Sequence, residues 1–340
     1  MIDAPRARPR EPLLKILPAL LLAMLLGSCT SDRPLPQDPL ATQVGLAAQY
    51  PGDAGIERDP AVLFAEDFDH APLTAILARF SDRKRPASFS LAHDGPSVSP
   101  GQHALKIASV GGVSTGGTLY KRLAKNYDLL YFRYYVKYPS GGTYHHTAGW
   151  LGGYNPPTDW PQGHAGIRPS GNDRLSIAAE PVDANGRLDF YTYWMGMHGG
   201  PVEYWGNFLI HDPSLVFSRD RWTCIEVMAK MNDPVSAFNG ELALWVDDTL
   251  VSHLGARFPA GHWTGGIFTP DRSGEPFEGF QWRHDAGLAL NWFWLQHYAT
   301  ADPAGYAGAA FFDHVVLATN RIGCLAHTAT PPANLNPVSP

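Results

Sequence analysis

Along most of the chain, short runs rich in β-branched and aromatic residues alternate with Gly, Pro, Asn and Asp clusters, and no long stretch carries a helical repeat. Period-two alternation over such runs marks strands with two unlike faces. The spacing predicts strands over 104–109, 129–138, 175–179, 188–194, 223–231, 242–246, 290–298 and 311–318, with turn pairs such as Asn185-Gly186 and Asn239-Gly240 among their boundaries. A short helix is expected within 71–80. That number and spacing of strands predicts an all-β sandwich of two antiparallel sheets.

The alternation also assigns faces. Leu130, Phe132, Tyr134 and Val136 point one way, toward the core, while Arg133, Tyr135 and Lys137 point the other. Likewise Asp189, Tyr191 and Tyr193 oppose Leu188, Phe190, Thr192 and Trp194, and Trp222, Cys224, Glu226, Met228 and Lys230 oppose Thr223, Ile225, Val227 and Ala229. A sheet whose second face is a ligand groove has this pattern, and so has any antiparallel sheet with one wet face.

The start of the chain is of another kind. Arg6, Arg8, Arg10 and Lys15 precede an apolar run from Ile16 to Leu26, which ends in Leu26-Gly27-Ser28-Cys29. The run is about half the roughly 20 residues that a spanning helix needs, so it reads as a secretory signal. The tetrad resembles the bacterial lipobox, which implies cleavage before Cys29 and lipid on that cysteine; the alternative is an ordinary signal that leaves Cys29 as a free thiol. The expected product is exported and held by acylated Cys29 to a bacterial membrane, the outer membrane or cell surface rather than the inner. The implied organisation is a signal peptide over 1–28, a flexible tether over 29–60, rich in Pro, Gly, Asp and Ala, a sandwich domain over 61–325 and a Pro-rich tail over 326–340.

Losing residues 1–28 removes four basic and two acidic side chains from 26 Lys+Arg and 32 Asp+Glu, which leaves 22 against 30, net −8. Such a chain has no basic surface for nucleic acid, and an acidic ligand would need local Arg, Lys or His. A monomer is expected. Cys224 and Cys324 would sit where disulfides persist, and their pairing is plausible on that ground.

Three stretches taken together, Asp220-Arg-Trp-Thr-Cys-Ile-Glu-Val-Met-Ala-Lys-Met-Asn232, Asn239-Gly-Glu-Leu-Ala-Leu-Trp-Val-Asp247 and Phe312-Asp-His-Val-Val-Leu-Ala-Thr-Asn-Arg-Ile-Gly323, resemble the concanavalin A-like jelly rolls of polysaccharide lyases. The likeness is to the alginate and glucuronan lyases of polysaccharide lyase family fourteen, and it spans about Leu129 to Gly323. It extends to Thr147-Ala-Gly149, Leu151-Gly-Gly153, Arg174 and Tyr191-Thr-Tyr193, which correspond to that family's Lys-x-Pro-Gly segment, Gly-rich loop, Arg-bearing strand and Tyr-x-Tyr strand. One departure matters: where the family has its lysine, this chain has Tyr144-His145-His146. The resemblance implies a jelly-roll β-sandwich and cleavage of a uronic-acid polysaccharide by β-elimination. The other reading is a carbohydrate-binding surface lipoprotein of the same fold without catalysis.

β-Elimination needs a group to neutralise the uronate, a base for the C5 proton and an acid for the leaving oxygen. His145 or His146 with Arg174 are the candidates for the first, and Tyr191 and Tyr193 for the acid–base pair; adjacent histidines in an extended chain project to opposite sides, so at most one of the two is expected to face a groove. Arg133, Lys137, Trp150, Trp160, Gln162, His164, Trp194, Trp205 and Lys230 are candidate substrate contacts, the tryptophans by stacking on sugar rings. Glu226 and Lys230 can equally pair within a sheet, and each Tyr or Trp can equally serve the core. No Glu-x-Asp-x-Glu run of a jelly-roll glycosidase is present. No cofactor and no metal at the site is expected, a structural calcium being the one ion common in sandwiches of this shape.

Overall fold

The computed structural model describes residues 38–99, 101–160, 164–199 and 204–326. The chain divides into a unit Met1–Asp38 and a unit Pro39–Pro340, and the second carries the sheets. The signal segment, Cys29, Gln162 and the tail beyond Ala326 lie outside the described residues.

Leu130, Phe132, Tyr134 and Val136 are fully buried, as their alternation predicts. Their strand, β6 (Leu129–Lys137), lies mid-sheet. The order of this first sheet is β12 (Thr249–Leu254), β11 (Glu241–Val246), β10 (Trp222–Lys230), β6, β17 (Ala307–Ala318), β4 (His103–Val110) and β3 (Phe89–His93), with β1 (Val62–Glu66) also paired to β17. The second sheet runs β2 (Asp82–Lys84), β5 (Gly116–Tyr127), β16 (Leu290–Tyr298), β7 (Ala148–Tyr154), β8 (Arg174–Pro181) and β9 (Leu188–Tyr193). A small ribbon joins β14 (Ile267–Pro270), β13 (Ala260–Thr264) and β15 (Glu275–Pro276), and one short helix, α1 (Leu73–Ala78), falls inside the expected span. Pairing within the two large sheets is antiparallel throughout.

The core lies between the two large sheets. Leu105, Ile107, Ile225 and Leu244 of the first belong to one buried cluster with Leu119, Leu151, Ile177 and Leu295 of the second. The Phe132 ring meets Phe293 at 5.0 Å, and the Tyr134 hydroxyl donates to the Ala179 carbonyl at 3.1 Å. Each large apolar side chain removed from water here contributes about 1.5–3 kcal/mol.

The expected tether over 29–60 is corrected from Pro39 onward. Ala47 donates its N–H to the Ile322 carbonyl at 2.8 Å, and Leu46 and Ile56 pack on Tyr131, Met228, Trp245 and Val316. Those residues form an apolar row on the far face of the first sheet, which water would solvate poorly, so the N-terminal segment covers it. Asp53 anchors the cover: its carboxylate is 2.5 Å from the Arg133 guanidinium and 2.9 Å from His314 Nδ1. Burial raises the Asp53 carboxyl, but Arg133 and His314 outweigh it and hold the group below its usual range.

Arg133 is therefore no substrate contact, since it is fully buried on the face away from the second sheet. Lys137, on the same side, pairs with Asp94 and lies over the Trp222 and Phe311 rings. Lys230 pairs with Glu241 across the β10–β11 ladder at 2.8 Å, and Glu226 accepts the N–H groups of Ile322 and Gly323. Trp194 is buried against Phe280, Trp282 and Trp263. Cys224 and Cys324 form a disulfide.

His297 sits between Thr147 Oγ1 and Ser109 Oγ, each 2.9 Å from a ring nitrogen. Burial, only partly offset by Asp302, pulls its imidazole down from 6.5 to about 4. The folded state thus binds fewer protons than the unfolded state between these values, so the stability from a neutral His297 is complete above pH 6.5 and is lost as pH falls toward 4. A shift of this size corresponds to about 3 kcal/mol. Urea unfolding across that window is expected to give a shallower pH slope for His297→Gln than for wild type; equal slopes would contradict the assignment.

Candidate functional site

The second sheet has one face in the core and one open face, and alternation sorts its side chains between them. On β16, Phe293 and Leu295 are fully buried, while Trp292, Trp294 and Gln296, themselves largely buried, line a hollow on the other face. Trp150 of β7, Arg174 and Ser176 of β8, and Tyr191 and Tyr193 of β9 line the same hollow, which measures about 340 Å³. Its rim carries Tyr154, His164, Trp205 and Tyr298. An adjoining hollow of about 460 Å³ shares His146, Tyr191 and Trp205 with the first and adds His145, His198 and Phe208. Together they make one groove whose midpoint is Tyr191.

Two glycines make room for it. A Cβ at Gly152 would lie 2.3 Å from the indole of Trp292, its partner across the β7–β16 ladder. A Cβ at Gly206 would meet the Tyr191 ring at 2.7 Å. The loop bearing Trp205 and Gly206 is fixed from below by Asp189, whose carboxylate accepts the N–H groups of Leu209, Ile210 and His211 at 2.7–2.9 Å.

The two tyrosine hydroxyls lie 3.2 Å apart, in hydrogen-bond contact. Burial, reinforced by Tyr193, pushes the Tyr191 hydroxyl well above its usual range, so it keeps its proton. His146 stands with its ring 4.9 Å from that of Tyr191, and His145 at 5.4 Å. The expectation that at most one histidine faces the groove is corrected: His146 has a left-handed backbone, φ +65°, which turns both rings to one side and brings their centroids within 3.7 Å, tilted by 31°. Both Nδ1 atoms face Glu180 Oε1, at 3.1 and 3.2 Å. Glu180 is fully buried; burial raises its carboxyl, but the two imidazoles outweigh this and hold it below the usual carboxylate range. Burial lowers the His145 imidazole, and Glu180 more than restores it.

Arg174 is held at the groove's end by Asp173 at 2.5 Å and by the Ile167 carbonyl at 2.7 Å. Trp294 is the centre of a tryptophan cluster, with the Trp292 and Trp150 centroids 4.9 and 5.5 Å away and Trp160 stacked on it at 5.9 Å. The indole N–H groups of all four are buried and meet no protein acceptor. Sequence reasoning missed Glu180, Ser176, Tyr154, Gln296 and Tyr298. Glu180 had one available signal, its place two residues beyond Ala178 on the face that Arg174 and Ser176 share. A larger hollow, about 750 Å³, lies beside the disulfide, but its Arg221 and Arg321 are paired with Asp247 and Asp248 and it brings no acid–base pair together.

The alginate lyase vAL-1 from Chlorella virus superposes over 76% of this chain and 99% of its own, with TM-score 0.51 and 14% identity. The chain shares that lyase's jelly-roll fold. The marine PL-14 alginate lyase from Aplysia kurodai matches over 75% of this chain and 98% of its own, with TM-score 0.46 and 15% identity. The cellulose induced protein Cip1 matches over 77% and 99%, with TM-score 0.45 and 13% identity. No protein-family model and no curated protein matches the chain.

Proposed function

We propose that the protein is a polysaccharide lyase that cleaves a uronic-acid-containing polymer by β-elimination, and that the lipid on Cys29 holds it at a bacterial cell surface. The observation that carries this reading is the hydrogen-bonded Tyr191–Tyr193 pair at the midpoint of an aromatic groove, beside two histidines backed by a buried carboxylate.

Trp205, about half exposed at the rim, offers a face on which a sugar stacks, and the buried Trp150, Trp292 and Trp294 give the groove an aromatic floor. The histidine pair is placed to meet the carboxylate of the sugar over Tyr191, which acidifies its C5 proton. As the C5–H bond breaks, its electrons form the C4–C5 double bond and the C4–O4 bond breaks. The proton leaves to the Tyr193 oxygen, the Tyr193 proton crosses to Tyr191, and the Tyr191 proton passes to O4. No net charge is left on the protein.

Both hydroxyls act from one side of the sugar, so the leaving proton and leaving oxygen must share a face. Polymannuronate and polyglucuronate meet that condition, whereas polyguluronate and polygalacturonate, each inverted at one of the two carbons, do not. Mass spectrometry of digests is expected to find unsaturated ends, one water lighter than hydrolysis products, from the first two only. Equal cleavage of all four would contradict the one-sided relay, and binding without any such product would favour a carbohydrate-binding module.

A further inference from the structure

We propose that His145, His146 and Glu180 form a binding site for a divalent transition-metal ion of the zinc class, set in the groove wall beside Tyr191. Three features of the cluster carry the inference. The first is backbone strain. Neighbouring residues of an extended chain point apart, yet a left-handed His146 brings both imidazoles together. Non-glycine residues in this region cost about 1–3 kcal/mol and gather at functional sites.

The second is spacing. One nitrogen from each histidine and one oxygen of Glu180 lie within 4.8 Å of one another, and both nitrogens approach the same oxygen at 3.1 and 3.2 Å. Ligands bonded to one zinc-like ion at about 2.0–2.2 Å stand about 3.0–3.4 Å apart at right to tetrahedral angles, so each nitrogen already has that separation from the shared oxygen. The third is direction. Glu180 is fully buried, yet neither of its oxygens receives a well-aimed hydrogen bond, and the buried His146 Nδ1 makes none.

Two imidazoles and one carboxylate form the His₂Glu donor set of an open zinc site, whereas calcium and magnesium prefer all-oxygen shells. His145 is 45% exposed on the groove side, which leaves coordination positions facing substrate. Two neutral imidazoles, a carboxylate and a divalent ion sum to +1, the charge needed opposite a uronate. That role rests on the lyase reading; the binding of the ion does not.

The test is calorimetric titration of zinc sulfate into chelator-treated full-length protein, with metal content measured after dialysis. One equivalent is expected. Loss of a ligand should cost at least what loss of a ligand's outer partner costs, so Glu180→Gln and His146→Ala should each weaken binding by at least about 10-fold. His262→Ala, on the separate ribbon, should not. If those variants fail to fold, the cobalt(II) absorbance of wild type decides, since four- or five-coordination gives intense visible bands. No zinc bound, affinity unchanged in folded Glu180→Gln, or a weak six-coordinate cobalt spectrum would each overturn the site. Elimination that persists in chelator would refute the ion's role and leave the lyase standing, while zinc binding without elimination on any uronate would do the reverse.

Discussion

Tyr191→Phe is expected to lower kcat for elimination by about 10²–10⁴-fold, with KM little changed. Phenylalanine keeps the ring that packs against His146, Trp150 and Phe208 and removes only the hydroxyl bonded to Tyr193. Ground-state stacking survives and proton delivery does not, which is the kinetic mark of an interaction made in the transition state. Because the two hydroxyls form one relay, Tyr193→Phe should cost about as much, and the double variant little more than either. A Tyr191→Phe enzyme that kept its kcat, or whose loss lay entirely in KM, would remove Tyr191 from the chemistry and leave it as a platform for the sugar.

Asp53→Ala is expected to destabilise the fold by about 3–5 kcal/mol, the cost of stranding a buried partner charge. Arg133 has no exposure to water and His314 is buried, so neither can recover its lost partner from solvent. The same change should free residues 39–60 from the first sheet. Urea unfolding measures the energy, and limited proteolysis should cut within that segment in the variant but not in wild type. A change below about 1 kcal/mol with unaltered proteolysis would show that the cover is held by its apolar contacts alone.

Alternation along the chain was informative about the faces of single strands and silent about what covers them. It sorted Leu130 through Val136 into the core and put Tyr191 and Tyr193 on one open face, because each strand's two faces meet different surroundings. It did not tell which surroundings. The second face of β6 and the second face of β9 look alike in sequence, yet one is closed by the N-terminal segment and the other is the groove. Arg133, Lys137 and Lys230 were misplaced for that reason, their pairing partners being distant along the chain or across a ladder.

Local composition hid other parts. Strand β7 reads as a glycine-rich loop over Leu151-Gly-Gly153 because Gly152 must leave room for the Trp292 ring, yet it is a strand that carries Trp150. Segment 39–60 lacks any period because it is a series of single 3₁₀ turns, which bury isolated residues such as Leu46 and Ile56. The joint orientation of His145 and His146 depends on one backbone angle, and Glu180 gains its meaning only from the histidines it faces.

The most direct test of the central claim is the ultraviolet absorbance of the conjugated unsaturated uronyl end, followed while purified protein acts on polymannuronate and on polyglucuronate. A steady rise with at least one of them, lost in Tyr191→Phe, is the predicted result. A flat trace on every uronate polymer, from folded protein that still binds one of them, would contradict it.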